Sequence, residues 1–166
     1  TERLSFRLCD GLARVMPEEG ETIAIAGMGG ETIAAILNAA PWTKLGKRRL
    51  ILQPMSALPD LRRWLAKAGY TILREVLCQE GPKLYTVLLV EPGEMPPLSP
   101  AECWVGRQET GKDDPLRPAL LEGQKKRVER ALGGIAHSSR PEDIPWRQEL
   151  EQVLAGLETM QKELEV

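Results

Sequence analysis

The stretch Gly27-Met28-Gly29-Gly30 constrains this chain more than any other feature. A short apolar run, Thr22-Ile23-Ala24-Ile25-Ala26, precedes it, and a helical pattern, Thr32-Ile33-Ala34-Ala35-Ile36-Leu37, follows. A strand therefore feeds a glycine turn that opens a helix. In α/β folds ligands bind at the carboxyl ends of strands, where such turns sit. Glycine lets a ligand approach the backbone closely, and the free N–H groups at a helix start favour electron-rich partners. A tight βα turn that needs glycine only for its dihedrals is the alternative.

The flanking pattern predicts more of the same architecture. Leu4 to Leu8 alternates as a strand, closed by Cys9-Asp10-Gly11. Ile23 to Ala26 reads as a short buried strand and Ile33 to Ala40 as a helix stopped by Pro41. Arg49 to Gln53 reads as a strand stopped by Pro54, and Leu58 to Ala68 as an amphipathic helix with Gly69 as its C-cap. Tyr70 to Leu77 and Lys83 to Val90 read as strands around the turn Gln79-Glu80-Gly81-Pro82, the second buried on both faces. Five strands alternating with helices predict an α/β fold with a mainly parallel sheet, ended by an antiparallel hairpin. Nothing before Leu4 can supply the first strand of a doubly wound sheet, and the chain opens on Thr1, so the expectation is the later part of a larger domain.

Pro92 to Pro100 is proline-rich and marks an expected boundary, with an α/β unit over 1–95 and a helical unit over 96–166. In the second unit one helix is predicted from Pro115 to Ile135 and another from Pro145 to the end. Trp146, Leu150, Val153, Leu157, Met160 and Leu164 recur at the a/d spacing of a coiled-coil seam. Leu121, Val128, Leu132 and Ile135 offer a partner face for an antiparallel hairpin. Packing of this seam on the α/β core is the competing arrangement.

Composition narrows the chemistry. The formal charge of −2 gives no global attraction to nucleic acid, and no apolar run reaches membrane-span length. Lys44, Lys47, Arg48, Arg49, Arg62, Arg63 and Lys67 are nonetheless clustered, as are Lys125, Lys126, Arg127 and Arg130. Both clusters read either as solvated faces or as phosphate contacts. Cys9, Cys78 and Cys103 match neither a disulfide framework nor a zinc spacing, which fits a reducing, cytoplasmic compartment. His137 is the only histidine, in a loop-like linker, so a histidine triad and a multi-histidine metal site are excluded by count. No metal site is expected.

Four stretches together resemble the TrmK family of bacterial tRNA methyltransferases. They are Arg7-Leu8-Cys9-Asp10-Gly11-Leu12; Ile25-Ala26-Gly27-Met28-Gly29-Gly30; Leu50-Ile51-Leu52-Gln53-Pro54 with Leu61-Arg62-Arg63-Trp64-Leu65; and Glu80-Gly81-Pro82-Lys83-Leu84-Tyr85. The resemblance implies a partial class I methyltransferase (Rossmann-like) sheet followed by a C-terminal antiparallel coiled-coil hairpin. It implies S-adenosyl-L-methionine as cofactor and tRNA as partner, with methylation at N1 of adenosine 22. Such enzymes begin with a strand ending in an Asp-Ile-Gly type motif and carry an acidic residue for the cofactor ribose; this chain has neither. Cys9 stands where a glycine is usual, and Met55 where an asparagine is common. The chain is therefore expected to be an incomplete and inactive portion of the enzyme.

By the same resemblance Asp10 accepts a hydrogen bond from the cofactor's adenine amino group, with Gly11, Gly27 and Met28 also at the cofactor; capping of the next turn is the alternative for Asp10. Gly27, Met28, Gly29 and Gly30 are the expected catalytic segment, with Gly29 and Gly30 leaving room for a target base. Gln53, Pro54, Lys83 and Tyr85 are expected at the base, and Arg62 and Arg63 at tRNA phosphates. Strand-end capping is the alternative for Gln53, and a core or sheet-edge position for Tyr85. N1 of neutral adenine already carries a lone pair, so alignment can replace a general base. Two other classes compete. A dinucleotide-binding oxidoreductase would need a third glycine and a ribose-binding acid, both missing here. A non-catalytic RNA- or protein-binding fragment would bind neither NAD nor S-adenosylmethionine.

Overall fold

The computed structural model describes residues 4–136, 138 and 140–165, so the linker expectation for His137 lies outside the described residues. The α/β unit runs β1 (Thr22–Gly29), α1 (Gly30–Ala39), β2 (Arg49–Ser56), α2 (Leu58–Ala68), β3 (Tyr70–Glu80) and β4 (Lys83–Pro92), with short 3₁₀ turns at Pro17–Glu19 and Pro41–Lys44. One alternate set of strand residues, Ile23, Ile25, Leu50, Leu52, Leu88 and Val90, is buried beneath Ile33 and Leu37 of α1 and Leu61 and Leu65 of α2. The period of two along the strands and the helical spacing thus meet on one face. The opposite face carries Ala24, Ile51 and Val76, all exposed.

The α/β class holds, and four details differ from expectation. Leu4 to Leu8 forms no strand; Leu4, Phe6 and Leu8 are exposed. Alternation alone makes no strand where no sheet edge receives it. The sheet has four strands in the order β1-β2-β4-β3 and is not mainly parallel. Only β1 and β2 pair in parallel; β4 inserts between β2 and β3, antiparallel to both. β4 is also not buried on both faces: Thr86, Leu88 and Val90 are buried, and the residues between them only partly. Finally, Pro54 does not stop β2, which continues to Ser56. The β2–β4 ladder ends at Leu52↔Leu88, so Pro54 has no β4 partner to which an N–H is owed.

A second core gathers the helices α3 (Pro100–Val105), α4 (Gln108–Gly111), α5 (Arg117–Ile135) and α6 (Asp143–Leu164). Contacts Glu122–Gln161, Lys125–Glu158 and Ile135–Arg147 show that α5 and α6 run antiparallel. The seam starts later than expected. Trp146 is 42% exposed, and burial begins at Leu150, followed by Val153, Leu157 and Met160. It faces α3 as well as α5: a Cβ on Gly156 would stand 2.5 Å from the Ala101 Cβ. The helix pair is therefore packed against α3 rather than free-standing. Leu77 and Leu84 of the β3–β4 hairpin join this second core.

Candidate active site

The carboxyl end of β1 is built by backbone. Pairing with β2 shifts register between Ala26 and Met28 and again between Met28 and Gly29. Gly27 takes φ +74°, and the direction a Cβ would occupy is open space. The irregular backbone is held from β2: the Gln53 Oε1 accepts a hydrogen bond from the Gly27 N–H at 2.9 Å. Gln53 thus caps the strand end, while its Nε2 makes only weak contacts, 3.4 Å to the Pro54 carbonyl and 3.3 Å to the Met55 thioether sulfur, a poor acceptor. Gly29 and Gly30 differ from expectation. A Cβ on Gly30 would lie 2.6 Å from the Ala57 carbonyl oxygen, and one on Gly29 3.1 Å from the Ser56 Oγ. The room these glycines leave is filled by the chain's own β2–α2 junction, where Ala57 itself has φ 51°. The pair serves close strand-end packing. Gly29 caps α1 with no side-chain hydrogen bond, so the first N–H groups of α1 have no capping side chain.

Asp10 lies in the segment that packs on the second half of α1. Gly11, at φ +50°, passes so near α1 that a Cβ would meet the Ile36 Cγ1 at 3.0 Å, and Leu12 packs on the α/β core. The Asp10 carbonyl accepts from the Ala13 N–H at 3.0 Å. Its exposed carboxylate makes no hydrogen bond among the described residues. No side-chain cap explains Asp10, and it stands as an acceptor open to solvent.

Strand parity gathers the remaining candidates. Gln53 and Met55 of β2 and Lys83 and Tyr85 of β4 alternate with the buried rungs Leu52 and Leu88, which puts them on the sheet face opposite α1 and α2. Antiparallel β4 begins where β2 ends, so all four lie towards one end of the sheet. Pro54 alternates with them and is buried. Lys83 is exposed and Tyr85 half-buried, while Met28 and Met55 expose 41% and 54% of their surface. A cleft of about 480 Å³ lies elsewhere, lined by Glu21, Thr22, Lys47, Arg49 and Glu91. That is the amino end of the parallel strands, where α/β folds do not place their chemistry.

The two arginines of α2 part company with expectation. Arg62 is wholly buried. Its Nε and Nη2 donate to the two oxygens of Glu75 at 3.0 and 2.5 Å, and its Nη1 to the Cys103 carbonyl at 2.8 Å. Wholly buried and bonded through all three nitrogens, it presents nothing to a phosphate. Arg63 is partly exposed but paired with Asp60 at 3.0 Å and with Glu149 of α6. A second buried arginine, Arg117, donates to the carbonyls of Val105 and Gly106 and to Gln108. Burial lowers its pKa, though an arginine keeps its charge at neutral pH. Burial also raises the pKa of the Cys103 thiol, opposed by the charges of Arg63 and Arg62. Glu75 and Arg117 escaped sequence reasoning. The only advance signal was Ser99-Pro100-Ala101-Glu102, a capping box in which Ser99 and Glu102 bond each other's backbone N–H, marking α3.

The basic cluster of α5 is largely engaged. Lys125 pairs with Glu158, Lys126 with Glu122, and the Arg127 guanidinium lies 5.8 Å from the Trp104 ring centre. Arg130 is exposed, with no ion pair among the described residues. Among the described residues no group of three or more His, Cys, Asp or Glu could hold a metal ion, and no helix is long and apolar enough to cross a membrane.

Comparison with known proteins places this geometry. The sequence model of a family described as "Methyltransferase domain" matches residues 1–88. The tRNA (adenine(22)-N(1))-methyltransferase of Bacillus subtilis is 44% identical over 91 residues, 55% of this chain and 38% of that protein. The chain thus spans well under half the length of this curated relative. Sp1610 of Streptococcus pneumoniae, described as a candidate tRNA (m1A22) methyltransferase, superposes with a TM-score of 0.76 at 33% identity, over 93% of this chain and 68% of that one. The B. subtilis m1A22 tRNA methyltransferase TrmK superposes with a TM-score of 0.78 at 29% identity, over 93% and 69%. A second crystal structure of Sp1610, in complex with S-adenosyl-L-methionine, gives 0.73 at 30% identity, over 93% and 67%.

Proposed function

The chain belongs to the methyltransferase-domain family, and from that membership we propose that it is part of an enzyme that methylates N1 of adenosine 22 in tRNA with S-adenosylmethionine. One observation carries the reading: the open, backbone-built strand end at Gly27, stitched by Gln53 and flanked by exposed Met28. The residues present fit part of the cofactor. Asp10 offers a carboxylate without an internal partner, an acceptor for an adenine amino group. Gly27 leaves open space where any other residue would project a Cβ. S-adenosylmethionine supplies an electrophilic methyl group when bound. The chain's own part is alignment. Gln53 fixes the Gly27 backbone, its amide nitrogen is available to a base edge, and the polarizable side chain of Met28 suits packing against a flat ring. No proton has to be removed from N1 before it attacks, so the lack of a histidine or cysteine base at this end is no obstacle. N1 lies on the pairing edge, so a paired adenine would leave its stack first.

We assign residues 1–95 to the methyltransferase unit and 96–166 to a helical unit that helps place tRNA, with Arg130 an exposed basic side chain open to phosphate contact. Among the described residues β1 pairs on one side only and one sheet face carries exposed Ala24 and Ile51, which supports a cofactor cradle completed there by a further unit. A bacterial tRNA-modifying enzyme would work in the cytoplasm.

Calorimetric titration with S-adenosylmethionine tests the reading. This chain is expected to bind weakly or not at all, while its longer form binds and methylates a tRNA with adenosine at position 22 but not one with guanosine. Asp10→Ala in the longer form is expected to cost about 1–3 kcal/mol of cofactor affinity. Micromolar affinity of the 166-residue chain would show the cofactor site to be misplaced.

A further inference from the structure

Two adjacent residues of α2 reach into the helical unit at two separate places. Arg62 binds Glu75 of β3 and the Cys103 carbonyl near the end of α3; Arg63 binds Glu149 of α6. The joint is closely fitted. Gly106, at φ +77°, lies so near Glu75 that a Cβ would stand 2.6 Å from its Oε2. β3 turns Glu75 towards the joint by a bulge: register shifts between Ile72 and Arg74, so Ile72 and Glu75 both pair with buried residues of β4, Val90 and Leu88. Arg117 closes the other side, on the Val105 and Gly106 carbonyls. The carbonyls at the carboxyl end of α3 thus meet a buried cation from each unit, the favourable charge for that end of a helix. About one turn before Arg62, the amino end of α2 meets the strand-end site, where Ala57, which accepts the Leu61 N–H, abuts Gly30. The first half of α2 therefore links the strand-end site to the joint.

We propose that Arg62 is a positioning residue. Through Glu75 and the end of α3 it holds the helix pair at one orientation to the strand-end site, so that a single tRNA can engage both. The proposal rests on the tRNA reading above. Apolar residues of similar volume pack such a site about as stably as a buried ion pair does. What they lack is direction: the guanidinium fork accepts one arrangement of its partners, whereas a greasy contact accepts many.

The test uses the whole chain with Cys9→Ser and Cys78→Ser, and spin labels on Asn38→Cys of α1 and Gln152→Cys of α6, both exposed positions. Pulsed electron resonance reads the distance distribution between the units. Arg62→Met with Glu75→Leu is expected to keep the circular-dichroism spectrum and to broaden that distribution at least about twofold. The same variant is expected to weaken tRNA binding about 10-fold, a modest part of the 10²–10⁴ that simultaneous engagement of two sites can add. Arg62→Lys, which keeps the charge but loses the fork, falls between, and it carries the test alone where the double variant does not fold. A distribution as narrow as the wild type's in the folded variants overturns the proposal. A broadened distribution with unchanged tRNA affinity overturns its substrate clause. Failure of the wild-type chain and its longer form to bind tRNA at all would sink the functional reading instead, while the distances still decide whether Arg62 sets the orientation.

Discussion

The strand-end site and the joint lie about one helical turn apart on α2 and are built in opposite ways. At the strand end, glycine backbone does the shaping, and the side chains of Met28 and Met55 are left facing solvent. At the joint, charged side chains do the shaping and nearly every donor is claimed: Arg62 uses all three of its nitrogens within the protein. A site that must receive a ligand leaves polar and polarizable groups unpaired; a joint that must hold still satisfies them. Charge by itself does not distinguish the two, since the arginines read from sequence as phosphate contacts are the ones locked into structure.

Removing one partner at the joint should give the largest effect. Arg62→Ala leaves Glu75, with only 14% of its side chain exposed, facing an empty buried site. Breaking a buried pair this way costs about 3–5 kcal/mol, readable as a lowered urea midpoint. A loss under about 1 kcal/mol would place the pair with surface ion pairs and erase the contrast.

Gly30→Ala tests the strand end. Its Cβ would stand 2.6 Å from the Ala57 carbonyl, backbone that can yield only by moving the β2–α2 junction. Overpacking of this kind costs about 1–3 kcal/mol, and the displaced junction should weaken ligand binding as well as stability. Gly27→Ala would meet no atom and strain only its φ of +74°, so it separates dihedral need from space. Equal losses in the two variants would mean that close packing is not what Gly30 supplies.

Gln53→Ala is expected to be milder. It removes the 2.9 Å bond to the Gly27 N–H, but Gly27 is exposed and water can replace the acceptor. A net hydrogen bond contributes about 0.5–1.5 kcal/mol, and this one belongs at the low end. Its larger consequence should be in binding, because the bulged backbone loses its anchor. Unchanged tRNA affinity would reduce Gln53 to an ordinary strand-end cap.

How far the sequence reached follows the range of the forces involved. The strand at Ile23, the helices at Ile33 and Leu58 and the hairpin at Gly81 are set by neighbours a few residues apart, and their periodicity was legible. The insertion of β4 between β2 and β3 depends on pairing Leu50 with Val90, a separation that no local pattern records. The false strand at Leu4–Leu8 has the same cause, since its alternation says nothing about whether an edge exists to pair with. In the candidate site the glycine turn was legible because turn chemistry is local, whereas the bond from the Gly27 N–H to Gln53 crosses from β1 to β2 and no local pattern records it. The burial of Arg62 was not legible either, because its partner Glu75 faces it only after a bulge at Leu73 resets the strand's parity.

The smallest expected effect lies in the helical unit, on an exposed contact that sharpens the contrast from the surface side. Glu122 pairs with Lys126 one turn on and accepts from Gln161 of α6 at 3.2 Å. The hydrogen bond from Lys126 is the main cause that lowers its pKa, with Gln161 next. A carboxyl with a depressed folded-state pKa contributes stability above its unfolded value, about 4.3 for glutamate, and loses it as pH falls through the folded value. Glu122→Gln should therefore melt slightly below the wild type at neutral pH, and the two curves should converge only once the pH has dropped below the ordinary glutamate range. Raising salt at neutral pH should close the same gap, because the pair is exposed and screened. A gap that survived both acid and high salt would mean that Glu122 holds α5 to α6 by packing of its stem, and the distinction between claimed surface charge and claimed buried charge would have to be redrawn for the helix pair.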